Sequence, residues 1–460
     1  LEKALQLQSN LTGKLAKMLL LLGLSLGYFM VLLDMTVVSV ALPAIRSELG
    51  GGLSGLQWVV NAYTIVFAGL LLSMGSLADK LGAKRVYAGG LVLFLGASVL
   101  AAFVSSLGML IGLRAILGIG GAALMPASLS LLVHAYPETA ERARALGIWA
   151  AVTGAAMAAG PVIGGLLVDS FGWRSIFLLN VPLAVISLIL TFLLVKETDR
   201  RAQRSFDIGG QMTAIVAIAA LSFGLMEGDS YGWSSPTILM AFGVALLSAI
   251  LFLIFEVKGE SPLLPLSLFK HATVSAGMIA GMAINIGLSG ILFIMPVFFQ
   301  QVRGLSAHIT GLMLLPMMIP LAFNPILTGR IVGRIGARIP MTVGFCLGGV
   351  GTLLQVWTEV NTNYVITMIG LLFIGFGVSF TIPSLMAAVI SSVPKEQTGA
   401  VSGALNASRQ LGATLGVAIL GSILSSRTSF IDGMHLSFIV TTVILFGGSS
   451  LSFVFMGRKE

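Results

Sequence analysis

The chain reads as an all-α, polytopic membrane protein, and three observations predict this. Of 460 residues, 57% are hydrophobic and only 10% carry charge, against roughly 25% charged in a soluble domain. Mean hydropathy is +1.01. The apolar stretches are far longer than the ~10 residues of a membrane β-strand, so the backbone groups they carry into lipid must be paired within helices.

Fourteen spans follow from hydropathy, each long enough for a ~30 Å hydrocarbon core. They lie at 18–44, 55–77, 86–105, 109–133, 143–168, 174–195 and 208–227, then at 236–255, 273–299, 307–329, 340–357, 363–390, 399–425 and 434–456. Residues 1–17 are more polar and read as a cytoplasmic or interfacial segment. With both termini cytoplasmic, twenty of the 26 lysines and arginines fall on the inner side. Arg46, Arg174, Arg303 and Arg427 fall outside, and Arg114 and Arg409 fall within spans. This bias predicts the orientation and an even number of spans. It also accounts for the net charge of +8 without a nucleic-acid partner.

An internal repeat divides the chain. Gly75-Ser-Leu-Ala-Asp-Lys-Leu-Gly-Ala-Lys84 follows the second span, and Gly329-Arg-Ile-Val-Gly-Arg-Ile-Gly-Ala-Arg338 follows the tenth. Gly118, Gly120 and Pro126 of the fourth span return as Gly375, Gly377 and Pro383 of the twelfth. The repeat predicts a six-helix bundle over 18–195, a second over 273–456, and an inserted two-helix hairpin over 208–255, placed at the periphery between them. The acidic Asp79 of the first copy is Gly333 in the second, so any acidic latch is one-sided.

Chemistry in a membrane is sought at ionisable residues within spans. Asp34 lies about ten residues, roughly 15 Å, inside the first span, where a carboxyl group can gain and lose a proton away from bulk water. Arg114 of the fourth span occupies the same outer half, which makes it the natural partner. Arg409 has no carboxylate at its depth, and Asn406 or backbone carbonyls are expected to satisfy it. Glu227 closes the seventh span and reads as an exposed cap. At the turn after the second span, Gly75 and Gly82 allow tight helix ends. Beside them, Asp79, Lys84 and Arg85 form a charged cluster. Asp79 is expected to meet the next helix N-terminus or Arg142 or Arg144. Gly154, Gly160, Pro161, Gly164 and Gly165 give the fifth span a smooth, locally broken face that permits close packing and rocking. Phe293, Met313 and Met317 are candidates for an adaptable apolar cavity.

Other chemistries are excluded by what is missing from the sequence. No phosphate-binding loop with Gly-Lys-Ser/Thr occurs, and the single cysteine, Cys346, and four dispersed histidines make neither a disulfide nor a metal cluster. No cofactor, metal or catalytic triad is expected.

These stretches together resemble the major facilitator superfamily, and within it the fourteen-span drug:H⁺ antiporter branch. Leu33-Asp-Met-Thr-Val-Val-Ser-Val-Ala-Leu-Pro43 is similar to the branch's first-helix motif, and residues 75–85 to the superfamily's loop motif. Arg114 with Gly118, Gly120 and Ala123 is similar to the fourth-helix motif, and Gly154 through Gly165 to the antiporter motif. Trp173 through Pro182 and Ser408 through Gly412 are further branch-like stretches. The resemblance covers nearly all of the chain from the first span onward. It implies a secondary transporter, not an enzyme, that uses a proton gradient to export lipophilic, cationic drugs or antiseptics by alternating access. It implies proton coupling at Asp34 and Arg114, a monomer, lipid surroundings and a bacterial plasma membrane. Export of a lipid, siderophore or envelope metabolite is the alternative, and a non-transporting structural or receptor protein a remote one. The absence of a buried carboxylate in the last six spans argues against dications.

Overall fold

The structure, a computed structural model, describes residues 2–198, 207–259, 266–394 and 397–456, with backbone only for residues 2–14, 72, 139, 140, 143, 153 and 267. The side chains of Lys3 and Lys14 and the residues Arg200, Arg201, Arg204, Lys395, Arg458 and Lys459, which enter the charge bias, lie outside what is described.

The described residues form helices α1 (Glu2–Leu49), α2 (Leu53–Leu81), α3 (Ala83–Ala101), α4 (Leu107–Ala135), α5 (Thr139–Phe171), α6 (Ser175–Leu178), α7 (Asn180–Leu194), α8 (Ile208–Tyr231) and α9 (Pro236–Lys258). These are followed by α10 (Ala272–Val297), α11 (Ala307–Met313), α12 (Leu315–Ile335), α13 (Arg338–Gln355), α14 (Tyr364–Ser391), α15 (Thr398–Ser425) and α16 (Phe430–Phe455). Thirteen of the expected spans are helices long and apolar enough to cross a bilayer. The eleventh expected span is α13, 18 residues that include Gly344, Gly348, Gly349, Gly351 and Gln355. It is the shortest and among the more polar, and it packs between α14 and α16.

Three differences from the expected spans have local causes. α1 runs unbroken from residue 2 to residue 49, with no boundary near residue 17. The span at 307–329 is two helices, because Pro316 sits in the first turn of α12, where its missing N–H costs nothing. The span at 174–195 is likewise divided, between α6 and α7, just before Pro182. Beyond Pro296, α10 continues as a π-helical turn, Phe298–Val302.

α1, α2, α3, α4, α5 and α7 pack on one another, as do α10, α12, α13, α14, α15 and α16. The two groups meet where α2 lies against α15, α5 against α11 and α12, and α1 against α10. α8 rests on both α2 and α15, and α9 packs on α8. Large apolar side chains such as Phe103, Phe171, Leu193, Met240, Leu246 and Phe323 are exposed on the outside, each more than half. An apolar surface of this extent fits lipid and not water. The protein is a multi-pass membrane protein.

Candidate transport site

Asp34 and Arg114 are brought together between α1 and α4. Both are almost fully buried, 2% and 1% exposed. Arg114 Nη1 donates to Asp34 Oδ2, and Arg114 Nε donates to the Val59 carbonyl at 2.9 Å. The guanidinium lies over the Tyr63 ring, 4.5 Å from its centroid. The other carboxylate oxygen, Oδ1, accepts from Asn180 Nδ2 at 3.1 Å, and the same amide reaches Ser98 Oγ at 3.3 Å. Each charge therefore has its opposite and at least one further partner, the condition under which a buried pair survives desolvation. Asn180 escaped the sequence reading. Its signal was a lone amide in an apolar run, two residues before Pro182 and at the first position of α7.

Beside this pair lies a cavity of about 300 Å³. Its wall takes residues from α1, α2, α4, α5, α10, α12, α14 and α15. Much of the wall is apolar: Leu32, Met35, Met125, Met157, Leu292 and Phe293. Polar groups include Tyr28, Asn285, Ser289, Ser379, Asn406 and Gln410, and the charged ones are Arg114 and Arg409, with no carboxylate among the described lining residues. Asp34 is not itself in the wall and accepts from the wall residue Arg114.

Of the three cavity candidates, Phe293 lines the wall, and Met313 and Met317 do not. Met317 is fully buried and its backbone lies against Gly375 of α14. The Met313 carbonyl accepts from the Tyr364 hydroxyl of α14 at 2.8 Å. Met317 shares a face of α12 with the wall residues Leu321 and Pro325, so it is its packing on α14 that keeps it out of the wall. Met35, Met125 and Met157 take the wall positions instead. Arg409 Nη1 donates to Asn406 Oδ1 at 3.3 Å, within the range expected, but Nε is buried without a partner among the described residues.

The glycines of α5 sit at close approaches. A Cβ on Gly160 would collide with Thr36 of α1, and one on Gly165 with the Ala307 carbonyl of α11. Gly164 lies on Val37 and Val40, while Gly154 faces the backbone of Leu321 and Ala322. Pro161 continues the same face, its carbonyl meeting Gly311 of α11. The contacts of Gly154, Pro161 and Gly165 join the two halves, as do hydrogen bonds at the end opposite the termini. Asp169 accepts from the backbone amides of Ala307 and His308 at 3.1 and 2.9 Å, a carboxylate on a helix N-terminus. Gln300 donates to the Val40 carbonyl at 2.8 Å and Arg46 to Gln301 at 2.9 Å. Gln57 donates to the Val417 carbonyl at 2.8 Å, and Asn61 to the Thr414 carbonyl at 3.2 Å.

At the terminus end, the charged loop departs from expectation. Among the described residues, Asp79 forms no ion pair with Arg142 or Arg144. Glu197, just beyond α7, takes the place expected of it: its carboxylate accepts from the Lys84 amide at 2.9 Å and lies 3.8 Å from Arg85 Nε. Thr198 Oγ1 accepts from the Ala83 amide at 2.9 Å. Lys84 Nζ reaches the Phe192 carbonyl at 3.3 Å. Gly82 turns the chain with φ of 101°, a conformation open to glycine and strained for other residues, and a Cβ there would strike Glu197. Gly75 faces Pro126 of α4. Glu227 is not exposed as expected: it is half-buried and accepts from Trp58 Nε1 at 3.1 Å.

Comparison with known proteins agrees with this architecture. Residues 24–417 match the family described as Major Facilitator Superfamily. The chain is 36% identical over 420 residues to the multidrug resistance protein Stp of Mycobacterium tuberculosis, covering 91% of this chain and 78% of that one. It is 37% identical over 422 residues to the methylenomycin A resistance protein of Bacillus subtilis, covering 91% and 90%. In fold it resembles a crystal structure of the nucleoside transporter NupG, with TM-score 0.68 and 14% identity over 95% of this chain and 100% of that one.

Proposed function

Since the chain belongs to the Major Facilitator Superfamily, we propose that it is a proton-coupled antiporter of the fourteen-span drug branch that exports lipophilic drugs across a bacterial plasma membrane, with both termini cytoplasmic. The names of the relatives support the drug cargo. The observation that carries the coupling is the buried Asp34–Arg114 pair, whose arginine lines a mostly apolar cavity.

The chemistry follows from the pair. A proton reaching Asp34 cancels the charge that holds Arg114, leaving a guanidinium that touches the cavity without its counter-ion. Substrate in the cavity and proton on Asp34 then alter one another's binding through Arg114, which is a coupling free energy between two sites. The bonds around Asp169, Gln300 and Gln57 close the end opposite the termini, the outer end in this orientation. Export requires them to part while the glycine face of α5 lets the halves rock.

The test is a reconstitution. Protein in liposomes with an imposed pH gradient is given lipophilic fluorescent drugs, and internal pH and drug are followed together. Uphill drug movement with stoichiometric proton counterflow, abolished by a protonophore, is expected. Drug movement indifferent to the pH gradient contradicts the coupling.

A further inference from the structure

The cavity wall carries an excess positive charge. Arg114 is neutralised by Asp34, but Arg409 has Asn406 as its only described hydrogen-bond partner, and no aspartate or glutamate among the described residues lines the cavity. The guanidinium Nε is buried and, among the described residues, unpartnered. A charge left uncompensated among apolar helices is strongly disfavoured, and membrane proteins keep one where it has work to do. The surroundings hold it in place: the stem passes α10 at Gly281, where a Cβ would come within 3.0 Å of Arg409 Cγ. The preceding Ser408 hydroxyl donates to the Met278 carbonyl at 2.7 Å and fixes α15 on α10. Around it stand groups that suit an amphiphile. Asn406, Gln410 and Asn285 offer hydrogen bonds, and Tyr28, stacked on Trp149 with ring centroids 4.6 Å apart, offers an aromatic face.

We propose that Arg409 is the recognition site for an anionic group, a carboxylate or its equivalent, on an otherwise apolar substrate. This rests on the export reading above and sharpens it: the cargo is a lipophilic acid, not a lipophilic cation. The guanidinium supplies two-pronged donation to the carboxylate, Asn406 and Gln410 bind the remaining lone pairs, and the Met- and Phe-lined wall takes the apolar body. A cation entering the same cavity meets Arg409 and Arg114 and finds no carboxylate to receive it.

The experiment uses the full chain in phosphatidylcholine nanodiscs and three probes with one ring system: pyrenebutyrate, its neutral methyl ester, and the matching pyrenylbutyl-trimethylammonium. Binding is read by fluorescence anisotropy. The carboxylate is expected to bind about 10- to 100-fold more tightly than the ammonium probe, the worth of a hydrogen bond to a charged group. Arg409→Gln is expected to remove that advantage while leaving the methyl ester unchanged, and Arg409→Lys, which keeps the charge but not the two-pronged donation, to keep only part of it. Equal or tighter binding of the ammonium probe to the unaltered protein overturns the proposal, and needs no variant to fold. Unchanged carboxylate affinity in Arg409→Gln overturns it too. So does loss of pyrenebutyrate binding when anionic phospholipid replaces phosphatidylcholine, which would assign the anion to a lipid head group. Proton flux separates the two readings. If the ammonium probe alone drives it, export stands and this assignment falls. If pyrenebutyrate binds through Arg409 yet no probe moves protons, the assignment stands and export falls.

Discussion

Arg114 and Arg409 are both guanidinium groups carried into the middle of apolar helices, one in each half of the molecule, and their surroundings differ in kind. Arg114 is enclosed by Asp34, the Val59 carbonyl and the Tyr63 ring, and Asn180 completes the carboxylate's shell. Arg409 has Asn406 and an open edge toward the cavity. The first arrangement is self-contained, and on the proposed function a proton is what disturbs it. The second is incomplete and gains from an arriving anion. The repeat that built two similar six-helix groups therefore did not duplicate the surroundings of its arginines: one is closed by a carboxylate, the other faces the cavity without one among the described residues.

The comparison can be broken at four places. Arg114→Met strands the Asp34 charge and should lower stability by about 3–5 kcal/mol, the usual cost of removing one partner from a buried pair. Thermal unfolding in detergent measures it, and adding Asp34→Leu should restore most of the loss. If the double variant is no better than the single one, the pair is not the source of the effect. Asn180→Leu removes the second donor to the carboxylate and should cost about 1–3 kcal/mol by the same assay, with uphill transport impaired. Arg409→Met should go the other way. Deleting a charge with no counter-ion is expected to be neutral or to stabilise by up to ~1 kcal/mol, and a large destabilisation would show that Arg409 is held structurally. The exposed pair Lys17–Glu141, 2.6 Å apart with both side chains near half exposed, sets the floor. Lys17→Ala should leave the unfolding midpoint unmoved, since water and salt screen such a pair.

The helices and the Asp34–Arg114 proximity were legible because depth in a bilayer is linear in residue number. Two charges at similar depth in neighbouring spans have few other partners to choose. What the sequence concealed is lateral geometry. Met317 lies on the face of α12 that carries the wall residues Leu321 and Pro325, yet it is packed against Gly375 of α14, while Met157 of α5 reaches the wall. The substitution of Glu197 for Asp79 at the α3 N-terminus was hidden for a similar reason. The two acids lie near the same membrane face, and only the packing of α7 against α3 puts Glu197 over the free amides. Asn180 was concealed by type, because an amide in an apolar helix more often bonds its own backbone than a distant carboxylate.

The most direct test of proton coupling at Asp34 is transport by Asp34→Asn, a change that keeps the size and removes the titratable group. Wild-type and variant protein are reconstituted at matched levels, a pH gradient is imposed, and the steady-state ratio of drug across the membrane is measured. Wild type is predicted to hold the drug above its equilibrium ratio for as long as the gradient lasts, and Asp34→Asn to reach equilibrium and no further. Uphill accumulation by the Asp34→Asn protein equal to wild type would contradict the account.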